Sequence, residues 1–250
     1  IQTGLDLLGG ISMFVKSGER IVIKPNILIG TDPDKGVTSI IVPLLSITFI
    51  EDILIPPNAV IGLAGFTNCC KTGFCLQFAS LNLDLGMEVY YFFNEMSKDQ
   101  FLVRASDYTN LREAYKKTFF PRKMGESEFW DVIKPDTIAI CDYIDRNDNL
   151  YLHGEDISNI KKAIGNGVAL VGLQMQHKAY WGYGGLPTAK RTDLYFALDK
   201  VREREDHMEC IAYIRKAKNW NKKNPQGLEC TYNTGPKHGT LVKTGTWCRG

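Results

Sequence analysis

No Cys-x-x-Cys pair occurs in the sequence, although it holds seven cysteines, at positions 69, 70, 75, 141, 210, 230 and 248. An odd count, no paired spacing and no secretory leader predict free thiols in a reducing, cytoplasmic compartment. Adjacent Cys69 and Cys70 followed by Cys75 do not match zinc-ligand spacing either. Net charge is also scarce, with 30 Lys and Arg against 28 Asp and Glu. That balance excludes a global basic field, so a nucleic-acid site has to be a local patch. Long hydrophobic runs are missing too. Residues 37–50 are apolar, but the run is 14 residues long and contains Pro43, short of the roughly 20 that span a bilayer. It predicts buried core and no membrane partner. There are no internal repeats and no low-complexity segment. What remains is an ordinary globular composition, 44% hydrophobic and 23% charged over 250 residues, enough for one large domain or two small ones.

The most informative stretch is Gly65-Phe66-Thr67-Asn68-Cys69-Cys70-Lys71-Thr72, followed by Gly73. It sits between the apolar run Ala59–Ala64 and a second apolar run ending at Leu81, and so reads as strand, loop, helix. That is the context of a phosphate-binding loop, G-x-x-x-x-G-K-[ST]. There, backbone N–H groups at a helix N-terminus wrap the phosphates, the lysine neutralises their oxygens, and the hydroxyl holds Mg²⁺. Residues 65–73 are therefore the candidate ATP cradle, with Lys71 on phosphate and Thr72 on the metal. Cys70 stands where the motif has its second glycine. If its φ is positive, the Cβ costs roughly 1–2 kcal/mol, about tenfold in affinity. The competing reading is an incidental strand-to-helix turn.

Residues 5–15 show a helix-like apolar pattern, and residues 20–25 a short strand stopped by Pro25. From Glu51 onward strands alternate with helices, which predicts an α/β fold with a mostly parallel, twisted sheet covered on both faces. Expected strands cover residues 88–93, 137–141, 167–173, 193–198 and 209–214, with a helix at 155–164 and a hairpin from 227 to 243.

Successive strands end in polar residues: the loop before Lys71, then Asn94-Glu95, Asp142 and Gln174. In an open parallel sheet the ligand sits at the carboxyl ends of the strands, so these groups are expected to converge on one nucleotide. Asp142 after four strand residues has the form of a Walker B acid, which would hold Mg²⁺ through water. Glu95 is the candidate general base for the attacking water. Gln174 would sense the γ-phosphate. Each has a plainer reading, as a helix cap, a first-turn acid or a loop-bracing amide.

Two resemblances follow from these blocks. Gly-Gly-Ile, Phe-Val-Lys-Ser-Gly-Glu-Arg and Ile-Lys-Pro-Asn-Ile-Leu in the first four dozen residues resemble the start of an uncharacterised domain of some iron–sulfur proteins. None of the clustered cysteines of those proteins is present there, and residues 1–48 are read as an N-terminal extension of unknown role. The block Val89-Tyr-Tyr-Phe-Phe-Asn-Glu95-Met96-Ser97-Lys-Asp-Gln100-Phe-Leu-Val-Arg104 is similar to replicative helicases of the DnaB type, whose catalytic glutamate sits in a Glu-Met-Ser turn. Leu173-Gln174 is similar to their glutamine-bearing strand, and Lys216-Ala-Lys218-Asn219-Trp220 with Asn224–Gly227 to the late strand that reaches a neighbouring subunit. The resemblance spans about residues 50–247 and implies a RecA-like ATPase domain over 49–250. It implies catalytic roles for Lys71, Glu95 and Gln174, Mg²⁺ on Thr72 and Asp142, and Lys218 as a finger acting across a subunit interface. A homo-oligomeric ring or filament, expected to be a hexamer, goes with it. Trp220 stands where those helicases often place a finger arginine, which predicts a slow ATPase.

Between Gln174 and the next strand lies a loop with Lys178, Tyr180, Trp181, Lys190 and Arg191 among glycines. Mobile glycines, stacking faces and flanking cations are the composition of a single-strand binding loop. By the resemblance, it would line the DNA channel. The plainer reading is a surface loop with solvated cations. The expected function is an ATP-driven motor on single-stranded DNA, a DnaB-type helicase or helicase-like replication protein. The alternatives are a nucleotide-dependent assembly or DNA-binding module blunted by Cys70, a recombinase-type or clock-type ATPase, and a redox-gated ATPase with Cys69 or Cys70 activated at a helix N-terminus.

Overall fold

The computed structural model describes residues 53–83, 87–125, 128–144, 152–235 and 240–250. The helix, strand and apolar run expected within residues 1–50, and the domain boundary at 48/49, lie outside the described residues.

Two apolar stretches build the sheet's centre. Strand β1, Ala59–Gly65, is buried along its whole length, and β5, Val168–Gln174, is buried at all but its last residue. Burial on both faces is the environment of a central parallel strand. They pair in parallel, with Gly65 beside Gln174. The remaining strands are β2 (Val89–Phe93), β3 (Phe119–Lys123), β4 (Ile138–Asp142), β6 (Leu194–Glu203), β7 (Met208–Ala217), β8 (Leu228–Thr234), β9 (Leu241–Lys243) and β10 (Cys248–Arg249). They form one sheet in the order β10-β8-β7-β6-β1-β5-β4-β2-β3, with β9 on β8. The half from β3 to β6 is parallel, and β7 to β10 add antiparallel partners.

Helices cover both faces. On one side lie α1 (Lys71–Leu83), α2 (Lys98–Ala105) and α3 (Thr109–Ala114), whose Phe74, Phe78, Phe101 and Leu111 pack on Ile61, Leu63, Tyr91 and Phe196. On the other lie α4 (Phe129–Val132), α5 (His153–Ala163) and α6 (Gly185–Arg191), which bring Phe129, Ile157, Ile160 and Ala189 onto Val60, Ala64, Val171 and Tyr195. The expected α/β architecture is therefore the observed one. β3 escaped the sequence reading because Pro121 interrupts its run; it lies at the sheet edge, where a missing N–H is tolerated. β6 runs to Glu203 rather than stopping at Leu198. Its outer half is solvated and carries no apolar pattern to read. Among the described residues, no helix is long and apolar enough to cross a membrane.

Candidate functional site

The 65–73 segment has the predicted form, β1 running into the loop and the loop into α1. Backbone bonds fix the loop: Phe66 N donates to Leu198 O at 3.0 Å, and Cys69 N to Phe66 O at 3.3 Å. The phenol of Tyr232 donates to Cys69 O at 2.8 Å. Helix α1 opens with Phe74 N bonding Cys70 O at 3.0 Å and carries no acid in its first turn, which leaves the positive helix end open to an anion. Gly65 is needed for close approach, since a Cβ there would lie 2.7 Å from Lys71 Cγ.

Cys70 adopts φ +60°, so the conditional cost in the sequence reading applies: a Cβ sits in the left-handed region where glycine is preferred. Its thiol donates to Thr240 O at 3.6 Å. The redox-gated alternative is not favoured by the thiols' surroundings. Burial pushes the Cys70 thiol up to about 12, and the hydrogen bond to Cys210, with burial, pushes Cys69 well above the ordinary thiol range. Desolvation of the anion works against the helix end and disfavours the thiolate at both positions.

Lys71 folds back over the loop. Its ammonium donates to Gly65 O at 2.9 Å and to Gln174 Oε1 at 2.9 Å. Burial lowers its pKa, with Asp142 the main opposing influence. Asp142, 3% exposed, accepts from the Tyr91 phenol at 2.7 Å and from the Thr72 hydroxyl. Burial raises its pKa, and those two hydrogen bonds work to keep it ionised. A hydroxyl next to a carboxylate, beside a buried ammonium, forms a donor set that fits Mg²⁺ with a polyphosphate.

Glu95 reaches the same place by a local device. Ser97 caps α2 through a reciprocal box, its hydroxyl accepting from Gln100 N while its own N–H donates to Gln100 Oε1 at 2.9 Å. That turn leaves Glu95 exposed at the carboxyl end of β2. Glu95, Lys71, Thr72 and Gln174 line one cavity of about 540 Å³, within the range of small-molecule sites. The cavity also takes in Gln100 and Arg104 of α2, Arg204 and His207 of the β6–β7 turn, and Thr234. These were not singled out in sequence. Arg104 had a signal in its place nine residues after Glu95, within the quoted block; the turn residues had none.

Lys218 is not brought to this cavity. Its ammonium pairs with Asp193 Oδ1 at 2.9 Å, and Asp193 holds Val60 N at the opposite end of β1 from the loop. Trp220 is there as well, bridging to Ile53. Lys216 donates to Ala189 O, Lys190 O and Thr192 O, closing the C-terminus of α6.

The loop after β5 is tightly braced. His177 Nδ1 and Lys178 N each meet Asp199 at 2.8 Å, and Tyr183 N donates to Gln174 O at 2.7 Å. Gly182, expected to confer mobility, serves close packing instead: a Cβ there would lie 2.8 Å from Ala64 Cβ and 2.9 Å from Gln174 O. Lys178, Tyr180, Lys190 and Arg191 are exposed. Trp181 is half-buried and packs edge-on against Tyr195, so its ring is less available than that of Tyr180.

No protein-family model matches the chain, and no curated protein sequence matches it. Solved structures do. A KaiC-like protein from the hyperthermophilic archaeon Pyrococcus horikoshii OT3 superimposes with a TM-score of 0.58 at 14% identity, over 76% of this chain and 91% of its own. The fold is RecA-like. The RadB recombinase gives a TM-score of 0.54 at 14% identity, over 75% of this chain and 91% of its own. Identity this low carries the RecA-like fold and does not single out the DnaB-type helicases.

Proposed function

We propose that this RecA-like domain binds and hydrolyses ATP with Mg²⁺ and acts on single-stranded DNA as part of a cytoplasmic homo-oligomer, a ring or filament of helicase-like type. The observation that carries the nucleotide half is the one cavity onto which three strand ends, those of β1, β2 and β5, bring Lys71, Thr72, Glu95 and Gln174, with Asp142 beside Thr72 at the end of β4. Residues 65–73 would cradle the phosphates, and Thr72 with Asp142 would hold the cation. Bound Mg²⁺–ATP would supply the transferable phosphoryl group. Glu95 would orient a water and take its proton, while Gln174, already on Lys71, would report the phosphate to the 175–184 loop. Lys178, Tyr180, Trp181, Lys190 and Arg191 are the proposed DNA contacts.

Lys218 keeps its proposed place as a finger toward a neighbour's nucleotide because it lies away from its own cavity; to act there it would have to leave Asp193. The two structural neighbours are a KaiC-like protein and a recombinase, which supports a RecA-like nucleotide-dependent activity rather than unwinding in particular.

The strained Cys70, at φ +60°, favours one second reading: a module that uses ATP for assembly and turns over weakly. Steady-state ATP hydrolysis with and without oligo(dT), in native chain and Glu95→Gln, separates the two. DNA-stimulated turnover lost in Glu95→Gln supports the motor. Nucleotide-dependent assembly with no turnover in either chain supports the module.

A further inference from the structure

We infer that Arg215 of β7 is part of the nucleic-acid surface, an anchor for backbone phosphate held against Tyr180 and Tyr213; the inference rests on the single-stranded DNA reading above. Arg215 was not among the candidate contacts. On β7 the alternate residues Cys210, Ala212 and Ile214 enter the core, which sends Tyr213 and Arg215 to the opposite face. The loop after β5 lies over that face. The Arg215 guanidinium carbon is 4.3 Å from the Tyr180 ring centroid and 3.9 Å from that of Tyr213.

The cation is thus in contact with two aromatic rings, while among the described residues its N–H donors have no acceptor. Among the described residues no ion pair or hydrogen bond reaches the side chain, and its Nε is buried without a partner. A guanidinium carries five donors in a fixed fork and stays charged at any ordinary pH. Purely structural arginines are generally satisfied by carbonyls or carboxylates, because an unpaired buried donor costs free energy. With two rings against it and Nε buried, the terminal Nη donors are the ones left to receive a phosphate.

The surroundings favour nucleic acid over an acidic protein surface. Tyr180 is 52% exposed and offers its outer face to a base, next to a cation that would hold the adjoining phosphate. Lys178, two residues earlier, is exposed. The loop that carries Tyr180 is pinned on both sides, at Lys178 N to Asp199 and at Gly182 N to the Tyr195 phenol at 2.9 Å, so the stack is presented pre-formed. Tyr183 N on Gln174 O ties the same loop to the residue that touches Lys71, which links this patch to the nucleotide cavity by one short segment.

The test is fluorescence anisotropy of labelled oligo(dT) on the full chain with Mg²⁺ and a non-hydrolysable ATP analogue, across a series of KCl concentrations, with thermal unfolding run in parallel. Arg215→Ala is expected to weaken binding roughly tenfold and to reduce the slope of log K against log[salt] by about one. Arg215→Lys restores the slope, because the charge returns, but only part of the affinity, because the stack does not. Tyr180→Ala, at an exposed ring whose loss should leave the fold intact, weakens binding with the slope retained. Native-like affinity and slope in a folded Arg215→Ala overturn the inference while leaving the DNA-motor proposal standing. Weakened self-association by sedimentation velocity, with oligo(dT) binding unchanged, also overturns it and assigns Arg215 to a protein interface. A native chain that binds no oligo(dT) removes the DNA reading and this inference together.

Discussion

The Lys71 ammonium and the Gln174 side-chain oxygen meet at 2.9 Å across 103 residues of sequence. The contact exists because β1 and β5 are adjacent and in register, so that the strand ends Gly65 and Gln174 lie side by side. It joins Lys71, the lysine proposed to bind phosphate, to the loop after β5 without an intervening residue. Gln174→Ala is therefore expected to lower DNA-stimulated ATP turnover by about 10²-fold, the scale for losing one positioned polar group. Nucleotide affinity should change little. Fluorescent-nucleotide titration beside steady-state hydrolysis checks this, and equal losses in both would make Gln174 a binding residue only.

Replacing Cys70 by glycine removes a Cβ from the left-handed region. Relief of roughly 1–2 kcal/mol is partly offset by the extra backbone entropy of glycine, about 0.5–1 kcal/mol. The expected net is up to about 1.5 kcal/mol, a rise of at most a few degrees in unfolding midpoint at about 2–4 °C per kcal/mol, and tighter nucleotide binding. Cys70→Val, β-branched at the same φ, should lower the midpoint. A glycine variant no more stable than the native chain, with unchanged nucleotide affinity, would show that the loop tolerates cysteine at no cost.

Asp142 has its pKa raised by burial and opposed by hydrogen bonds from Tyr91 and Thr72. A carboxylate has to be ionised to hold a cation, so Tyr91→Phe, which removes one of those bonds, moves the acid limb of Mg²⁺-dependent turnover to higher pH. Profiles of kcat/KM against pH for the two chains test the direction. An unmoved or downward-shifted limb refutes it.

At the other end of the sheet, Asp193 accepts from Lys161 at 2.6 Å and Lys218 at 2.9 Å. Burial works against its charge, but these bonds and Val60 N outweigh it and hold the carboxyl below its usual value. A depressed carboxyl pKa contributes stability above the unfolded value of about 3.9, lost as pH falls through the folded value. Asp193→Asn should cost about 1–3 kcal/mol near neutral pH, and its difference from the native chain should shrink as pH drops below that range. Urea denaturation at several pH values measures both, and a gap independent of pH would dismiss the charge argument.

Gly182 has no room for a side chain, with the Tyr195 phenol 3.0 Å from the would-be Cβ as well as the two closer contacts. Gly182→Ala is expected to destabilise by about 1–3 kcal/mol and to reduce DNA stimulation more than basal turnover, because the loop must lift off Ala64. A variant with native stability and stimulation would mean that the loop adapts freely.

The sequence by itself determined the alternation of central strands with helices and the order of the chemical groups along the chain. An apolar strand followed by Gly65 to Thr72, and later strands ending at Glu95, Asp142 and Gln174, are local patterns, and local patterns are what periodicity and spacing report. The capping box behind Glu95 was equally present in Ser97 and Gln100. Only the tertiary structure decided which groups meet. It placed Lys71 on Gln174, and it set Lys218 against Asp193 at the far end of the strands. It turned the β6–β7 hairpin into a wall of the cavity and set Arg215 against tyrosines from two different elements. It also placed Cys69 and Cys70 where their surroundings work against the thiolate, since burial depends on neighbours distant in sequence. Strand order and burial arise from pairings between remote segments, and those carry no signature in the residues that make them until the chain has closed on itself.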